Sequence, residues 1–327
     1  MIKIFNENIK KIRDSHWKHC ESKIKPKLES YIKNDKLPKT ENYKKFKKLL
    51  NLFLQDNNLQ KIITSEPKKL IEFYENNLAS YNNFINLQHK GKPFTAHLND
   101  IFGYKKFASK TGCNKDWNAY ILAEKLGVDV CPYCNRTYTT TVVGGTNKIV
   151  RPDFDHFFPN AKYPYFQMSF YNLIPSCTIC NSRLKLTEFD IDAKFIHPYL
   201  EDFGTNAKFT YDITNEKYLN SNLNDTENSI RLKFQRKEKN IEEIDNNILV
   251  FKLDEIYQYH RDVVAEIIHK IEFHPQEYLD SVLLYKGLGY TKEEIYRLIF
   301  RNIYEPKEFQ KRPLSKLTRD IYDELSG

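Results

Sequence analysis

Two Cys-x-x-Cys pairs, Cys131-Pro-Tyr-Cys134 and Cys177-Thr-Ile-Cys180, constrain this 327-residue chain more than any other feature. The first pair alone has the form of a redox dithiol. Such a pair needs its first cysteine at the mouth of a helix, where the helix dipole lowers the thiol pKa. The residues after Cys134 do not read as that helix. Thr137, Thr139, Thr141, Val142 and Val143 are β-branched, and Gly144–Gly145 is a turn signal, so a strand entering a hairpin is expected. A redox reading also has no use for a second pair. Four thiolates in one compact segment suit a tetrahedral structural zinc, with Zn–S distances of about 2.3 Å. The remaining Cys20 and Cys113 read as small buried hydrophobes.

Apolar residues make up 40% of the chain and aromatics 14%, enough for a globular core rather than a disordered chain. No apolar run approaches the roughly 18–20 residues that cross a bilayer. The start, MIKIFNENIKKIRD, has no apolar stretch of signal-peptide length, so a cytoplasmic location is expected. That compartment again favours metal over disulfides. The net charge of +8 is concentrated: residues 1–50 carry +9 and the rest sums to −1. A basic segment on a near-neutral body can hold phosphates by counterion release, although lysines also merely solvate helix faces.

The chain divides into three regions. Residues 1–105 form a basic helical region, in which KPKLESYIKND, NYKKFKKLLNLFLQ and SEPKKLIEFYENNLASYNNFINLQ space apolar residues three and four apart. Ser65-Glu-Pro-Lys reads as a helix start. Residues 106–200 open with a short helix over 116–126, stopped by Gly127, and become rich in cysteine, proline and aromatics. Residues 201–327 begin with strand-like runs at 208–213 and 230–234 around an Asn-rich loop. The helical period then returns in DEIYQYHRDVVAEIIHKI, PQEYLDSVLLYKGL, TKEEIYRLIFRNIY and LSKLTRDIYDEL. No repeat recurs at a fixed period.

Between the cysteine pairs lie 42 residues, more than a zinc ribbon needs. The insert contains Asp153-Phe-Asp155-His156-Phe-Phe-Pro159, and Asn172 precedes the second pair, which Asn181, Arg183 and Lys185 follow. With His156, Asn172 and Asn181 at intervals of 16 and 9, residues 128–190 resemble the HNH (His-Me finger, ββα-metal) endonucleases in their zinc-bearing form. The third position is Asn rather than His, a variant of that pattern. The resemblance implies an α+β, mainly helical fold: a small ββα-metal core with a four-cysteine zinc site, flanked by N- and C-terminal helical regions.

It also implies roles. Asp155 and Asn181 would hold one Mg²⁺ or Mn²⁺, which offsets the charge gathering on phosphate and helps the leaving oxygen. His156, pointing away from Asp155 along an extended strand, would be the general base. Asn172 would fix the loop and orient the imidazole. Arg183 and Lys185, with Arg136 and Arg151 behind them, are candidates to meet phosphate oxygens. DNA is the expected substrate, with RNA second. More loosely, DHFFPNAKYPYF and SFYNLIPSCTICN resemble nuclease subunits that accompany ATPases in Septu-like anti-phage systems, which implies an ATPase partner.

Each piece also has a plainer reading. A lone histidine among aromatics is usually core, and the cluster Phe154, Phe157, Phe158, Tyr163, Tyr165, Phe166, Phe170 and Tyr171 reads as core more than as a base-stacking platform. Asp153 reads as a surface carboxylate, and His197, His260 and His269 as structural. The alternative for the whole is a zinc-ribbon module that binds nucleic acid or protein without cutting.

Overall fold

A computed structural model describes residues 1–33, 40–81, 87–89, 92–110, 116–144, 147–185, 190–192, 194–220, 222–273 and 289–326. Cys113, Gly145 and the PQEYLDSVLLYKGL segment expected to be helical lie outside the described residues.

The N-terminal region is helical: α1 (Ile9–Lys33), α2 (Glu41–Leu54), α3 (Asn58–Thr64), α4 (Pro67–Asn77), α5 (Phe94–Phe102) and α6 (Tyr104–Ala108). Helix α1 is longer than the KPKLESYIKND period suggests, because it starts at Ile9 and runs through Pro26. Pro26 lies on the exposed face, where a missing hydrogen bond is best tolerated. Its inner face repeats every four residues, burying Ile12, His16, Cys20, Ile24 and Leu28 against α2, α3 and α5. Helix α2 starts at Thr40, whose hydroxyl accepts from the Tyr43 N–H. Helix α4 has Pro67 in its first turn, as the Ser65-Glu-Pro-Lys signal implies. Helix α7 (Ala119–Leu126) is capped by Asn118 and ends at Gly127, whose φ of 64° only glycine adopts without strain.

The strands form small antiparallel pairs. β1 (Val142–Gly144) and β2 (Asn147–Val150) pair as expected, but the strand is shorter than the β-branched run implies: Thr137, Thr139 and Thr141 lie outside it, with a single bridge from Tyr138 to Val130. β3 (Asp153–His156) pairs with β4 (Leu173–Ser176), Asp155 opposite Ile174 and His156 opposite Leu173. β4 runs almost directly into a short π-type helix, Cys180–Lys185. β5 (Ala207–Ile213) pairs with β6 (Ile230–Arg236). The Asn-rich stretch between them is not simply loop: Asn222 accepts from the Asp225 N–H and caps α8 (Leu223–Asn228).

The C-terminal helices follow as α9 (Ile241–Val250), α10 (Leu253–Tyr257), α11 (Arg261–Phe273), α12 (Lys292–Phe300) and α13 (Ser315–Leu325). α12 opens on a capping box between Thr291 and Glu294. The fold is therefore α+β and mainly helical. One apolar cluster runs from Met1 to Ile321 through all three regions, so helices before and after the cysteine-rich segment close over a shared core. All eight aromatics of the 154–171 cluster are buried in it, as the plainer reading expects. Among the described residues no helix is long and apolar enough to cross a membrane.

Candidate functional site

The four cysteines meet. Cys131, Cys134, Cys177 and Cys180 are buried, and their sulfurs all lie within 4.8 Å of one another. A tetrahedral zinc with bonds of about 2.3 Å places its sulfurs about 3.8 Å apart, so the cluster fits such an ion. Each pair sits on a tight turn. The Asn135 N–H donates to the Cys131 carbonyl with Asn135 at φ 48°, and the Cys180 N–H points at Cys177 Sγ at 3.4 Å. Crowding makes the thiols share protons. Hydrogen bonds from Cys131, Cys134 and Cys180 hold Cys177 well below the usual thiol range, while burial pushes Cys131 up. No helix follows Cys134, so the helix mouth of a redox dithiol is missing.

The knuckle is anchored on three sides. The Ile2 N–H donates to the Pro132 carbonyl, the Tyr257 hydroxyl to the Cys134 carbonyl, and Asn135 Nδ2 to the carbonyls of Phe309 and Arg312.

Strand β3 then divides its side chains between two faces. His156 faces the 157–172 loop, where Nε2 donates to the Gln167 carbonyl at 3.0 Å. A carbonyl can only accept, so the neutral ring carries its proton on Nε2 and keeps a lone pair on Nδ1. Nδ1 has no hydrogen-bond partner among the described residues, and the side chain as a whole is half-buried. Burial lowers the His156 pKa to about 4. The Tyr104 ring packs edge-on against the imidazole at 4.4 Å, and Asn172, 1% exposed, ties the loop. Asn172 Oδ1 accepts from the Phe158 N–H, and Nδ2 donates to the carbonyls of Phe158 and Phe166.

On the other face Asp155 turns inward. Lys185 Nζ is 2.8 Å from both of its oxygens and 2.6 Å from the His156 carbonyl; the Tyr133 hydroxyl donates to Oδ2 at 2.5 Å. Lys185 is 0% exposed and Asp155 4%. Two expectations change as a result. Lys185 has no surface to offer a phosphate, because its three donors are spent on Asp155 and His156. Asp155 as folded does not fit a divalent ion: Mg²⁺ keeps several waters and needs an open carboxylate, whereas here an ammonium covers both oxygens. Asn181 is half-buried, and its only side-chain hydrogen bond among the described residues is a long one from Nδ2 to Ser182.

The other cationic candidates also separate. Arg183 is exposed and makes no ion pair or hydrogen bond among the described residues. Arg136 is tied up: its Nε donates to His260 Nε2 at 2.7 Å and its guanidinium lies over the Tyr257 ring. Arg151 donates from Nη1 and Nη2 to the carbonyls of Pro152 and Ala108, between the rings of Tyr120 and Phe154, and its Nε is buried without a hydrogen-bond partner among the described residues. Asp153 accepts from the Thr178 hydroxyl.

Three contributors carried no functional signal in the sequence. Gln167 supplies the carbonyl that fixes the His156 tautomer. Tyr133 was visible only as the x of a Cys-x-x-Cys. His16, fully buried, accepts from Trp117 Nε1 and bonds the Met168 carbonyl, beneath the same loop.

No family model matches the chain, and no solved structure matches it. Over 73 residues it is 38% identical to Protein ea31 of Escherichia phage lambda; that stretch is 22% of this chain and 21% of that protein. The chain thus matches about a fifth of that curated relative's length.

Proposed function

We propose that this protein is an HNH-type endonuclease that hydrolyses phosphodiester bonds of nucleic acid, DNA before RNA, with His156 as general base. The observation that carries the reading is the hydrogen bond from His156 Nε2 to the Gln167 carbonyl, which leaves Nδ1 unprotonated and without a partner among the described residues. Nδ1 would take a proton from water as its oxygen attacks phosphorus; the P–O bond on the far side breaks and the leaving oxygen takes a proton from solvent. Arg183 is the exposed cation nearest in sequence to Asn181 and would meet phosphate oxygens. The order β3, β4, helix, with a four-cysteine site at the base, supports the same reading. The ATPase partner and anti-phage role rest on the looser sequence resemblance alone.

Two observations favour the second reading, a zinc-knuckle protein that binds without cutting. Asp155 is closed by Lys185, and an imidazole with a pKa of about 4 is a weak base at neutral pH. Supercoiled plasmid incubated with the protein, with and without Mg²⁺ or Mn²⁺, beside His156→Ala of equal zinc content separates the two. Cutting by the parent alone supports the nuclease. Equal cutting by both variants, or none by either, removes His156 from the chemistry.

A further inference from the structure

Two donors, one from each cysteine pair's own segment, converge on Asp155. Tyr133 lies between Cys131 and Cys134, fully buried and stacked on Phe251 with ring centroids 4.4 Å apart. Lys185 ends the helix that begins at Cys180. The phenol takes Oδ2 and the ammonium takes Oδ1 and Oδ2, and the third Lys185 donor goes to the His156 carbonyl. A single buried ammonium therefore fixes both the side chain of residue 155 and the backbone of residue 156. A metal that holds the four sulfurs also holds Tyr133 and the start of the Lys185 helix. Any shift of either segment reaches Asp155 through a hydrogen bond and His156 through the chain.

We propose that Asp155 is a clamp rather than a cation ligand, and that through it the four-cysteine site positions His156, with Tyr133 and Lys185 as the positioning residues. The proposal rests on the reading of His156 as the base, but its geometry can be tested apart from cutting. A divalent ion on Asp155 would have to expel Lys185, whose ammonium has no exposed surface and would leave three bonds behind. In the clamp reading no exchange is needed: the ammonium is the resident cation of the carboxylate, and zinc is the only ion that the local order depends on.

The test uses the full chain loaded with one zinc, its histidines labelled with ¹⁵N, and His156 assigned with His156→Ala. Mn²⁺ binding is read by electron paramagnetic resonance in the parent and in Asp155→Asn. The clamp expects the two to agree within about twofold; a loss of tenfold or more in Asp155→Asn overturns it. If Asp155→Asn does not retain zinc, the parent decides alone: bleaching of the His156 ring resonances by equimolar Mn²⁺ overturns the clamp, and their persistence supports it.

Tyr133→Phe removes one hydroxyl and leaves the four sulfurs in place. It is expected to shift the His156 ring resonances and to lower kcat about tenfold with KM unchanged, at equal zinc content. A lowered Tm with His156 resonances and kcat unchanged would show that Tyr133 serves stability alone and would overturn the coupling. A parent that binds and cuts no nucleic acid would sink the nuclease reading, while the Mn²⁺ and resonance measurements would still decide the clamp.

Discussion

Replacing Lys185 with methionine removes an ammonium that has three acceptors within 2.8 Å and no contact with water. Among the described residues Asp155 is then a buried carboxylate held by the Tyr133 hydroxyl alone. Breaking a buried pair from one side costs about 3–5 kcal/mol, because the remaining charge is neither solvated nor paired. Asp155→Asn strands the ammonium instead and should cost a similar amount. The double variant removes both charges and should cost far less than the sum, since swapping a whole buried pair for neutral groups is often close to neutral. Single losses of about 3–5 kcal/mol each against a double variant near neutral imply a coupling of about 6 kcal/mol or more from the cycle. The molecule carries its own control. Lys194–Glu242 is a bridge of 2.6 Å with both side chains 59% exposed, and Lys194→Met should leave the urea midpoint nearly unchanged. Equilibrium urea unfolding at pH 7, with zinc content matched so that metal-binding energy cancels, measures all four variants. If Lys185→Met is as mild as Lys194→Met, or the cycle is additive, the pair is not the buried clamp described.

Asn172→Asp keeps the shape but replaces two donors by an acceptor facing the carbonyls of Phe158 and Phe166; a loss of about 2–4 kcal/mol is expected, and an unchanged urea midpoint would contradict it. With zinc bound, Cys131, Cys134, Cys177 and Cys180 should resist iodoacetamide and become modified together on chelation; mass spectrometry showing one pair modified first would break the single-site assignment. Cys20, 0% exposed with its thiol pKa pushed up by burial, should stay unmodified in the folded protein. Burial puts the His156 pKa near 4, so the imidazole is unprotonated from about pH 5 upward, as the proposed base must be. The acid limb of the cleavage profile should fall near pH 4, and a half-maximum between about pH 6 and 7 would refute an unassisted buried imidazole.

The parts of the site that were legible in the sequence are those whose chemistry is local. Two Cys-x-x-Cys turns predict one four-sulfur cluster because thiols at that spacing can only share an ion from a tight turn. Alternation along Asp155-His156 predicts opposite faces, and the strand obeys it. The fate of the charges was not legible. Arg183 and Lys185 both read as cations for phosphate, yet the π-type turn carries Lys185 under the hairpin and leaves Arg183 outside. Arg136 meets His260, a residue 124 positions away, and no local pattern encodes that distance. Helix α8 was missed for another reason: asparagines are read as loop formers, while here one of them caps.

The basic N-terminal region supports the loop beside His156. The tautomer of His156 depends on where the Gln167 carbonyl points, and that carbonyl belongs to a loop with little regular structure. Four N-terminal elements hold it. α1 does so through His16 to Met168, α3 through the Ile62 carbonyl to the Ser169 hydroxyl, α5 through Asn99 to the Gln167 amide, and α6 through the Tyr104 N–H to Gln167 Oε1. On α1 the residues that do this lie on the buried stripe, whereas Lys11, Lys18 and Lys25 lie on the exposed side. The loop support therefore lies on one face of the helix and the lysines on the other, where the proposed phosphate contact would fall. A +9 segment that only solvated itself would not need a fully buried histidine bonded at both ring nitrogens, and one that only bound phosphate would not need to reach Met168. The loop is ordered from outside the cysteine-rich segment, which is why a core of two short strands and one helix can hold an imidazole still.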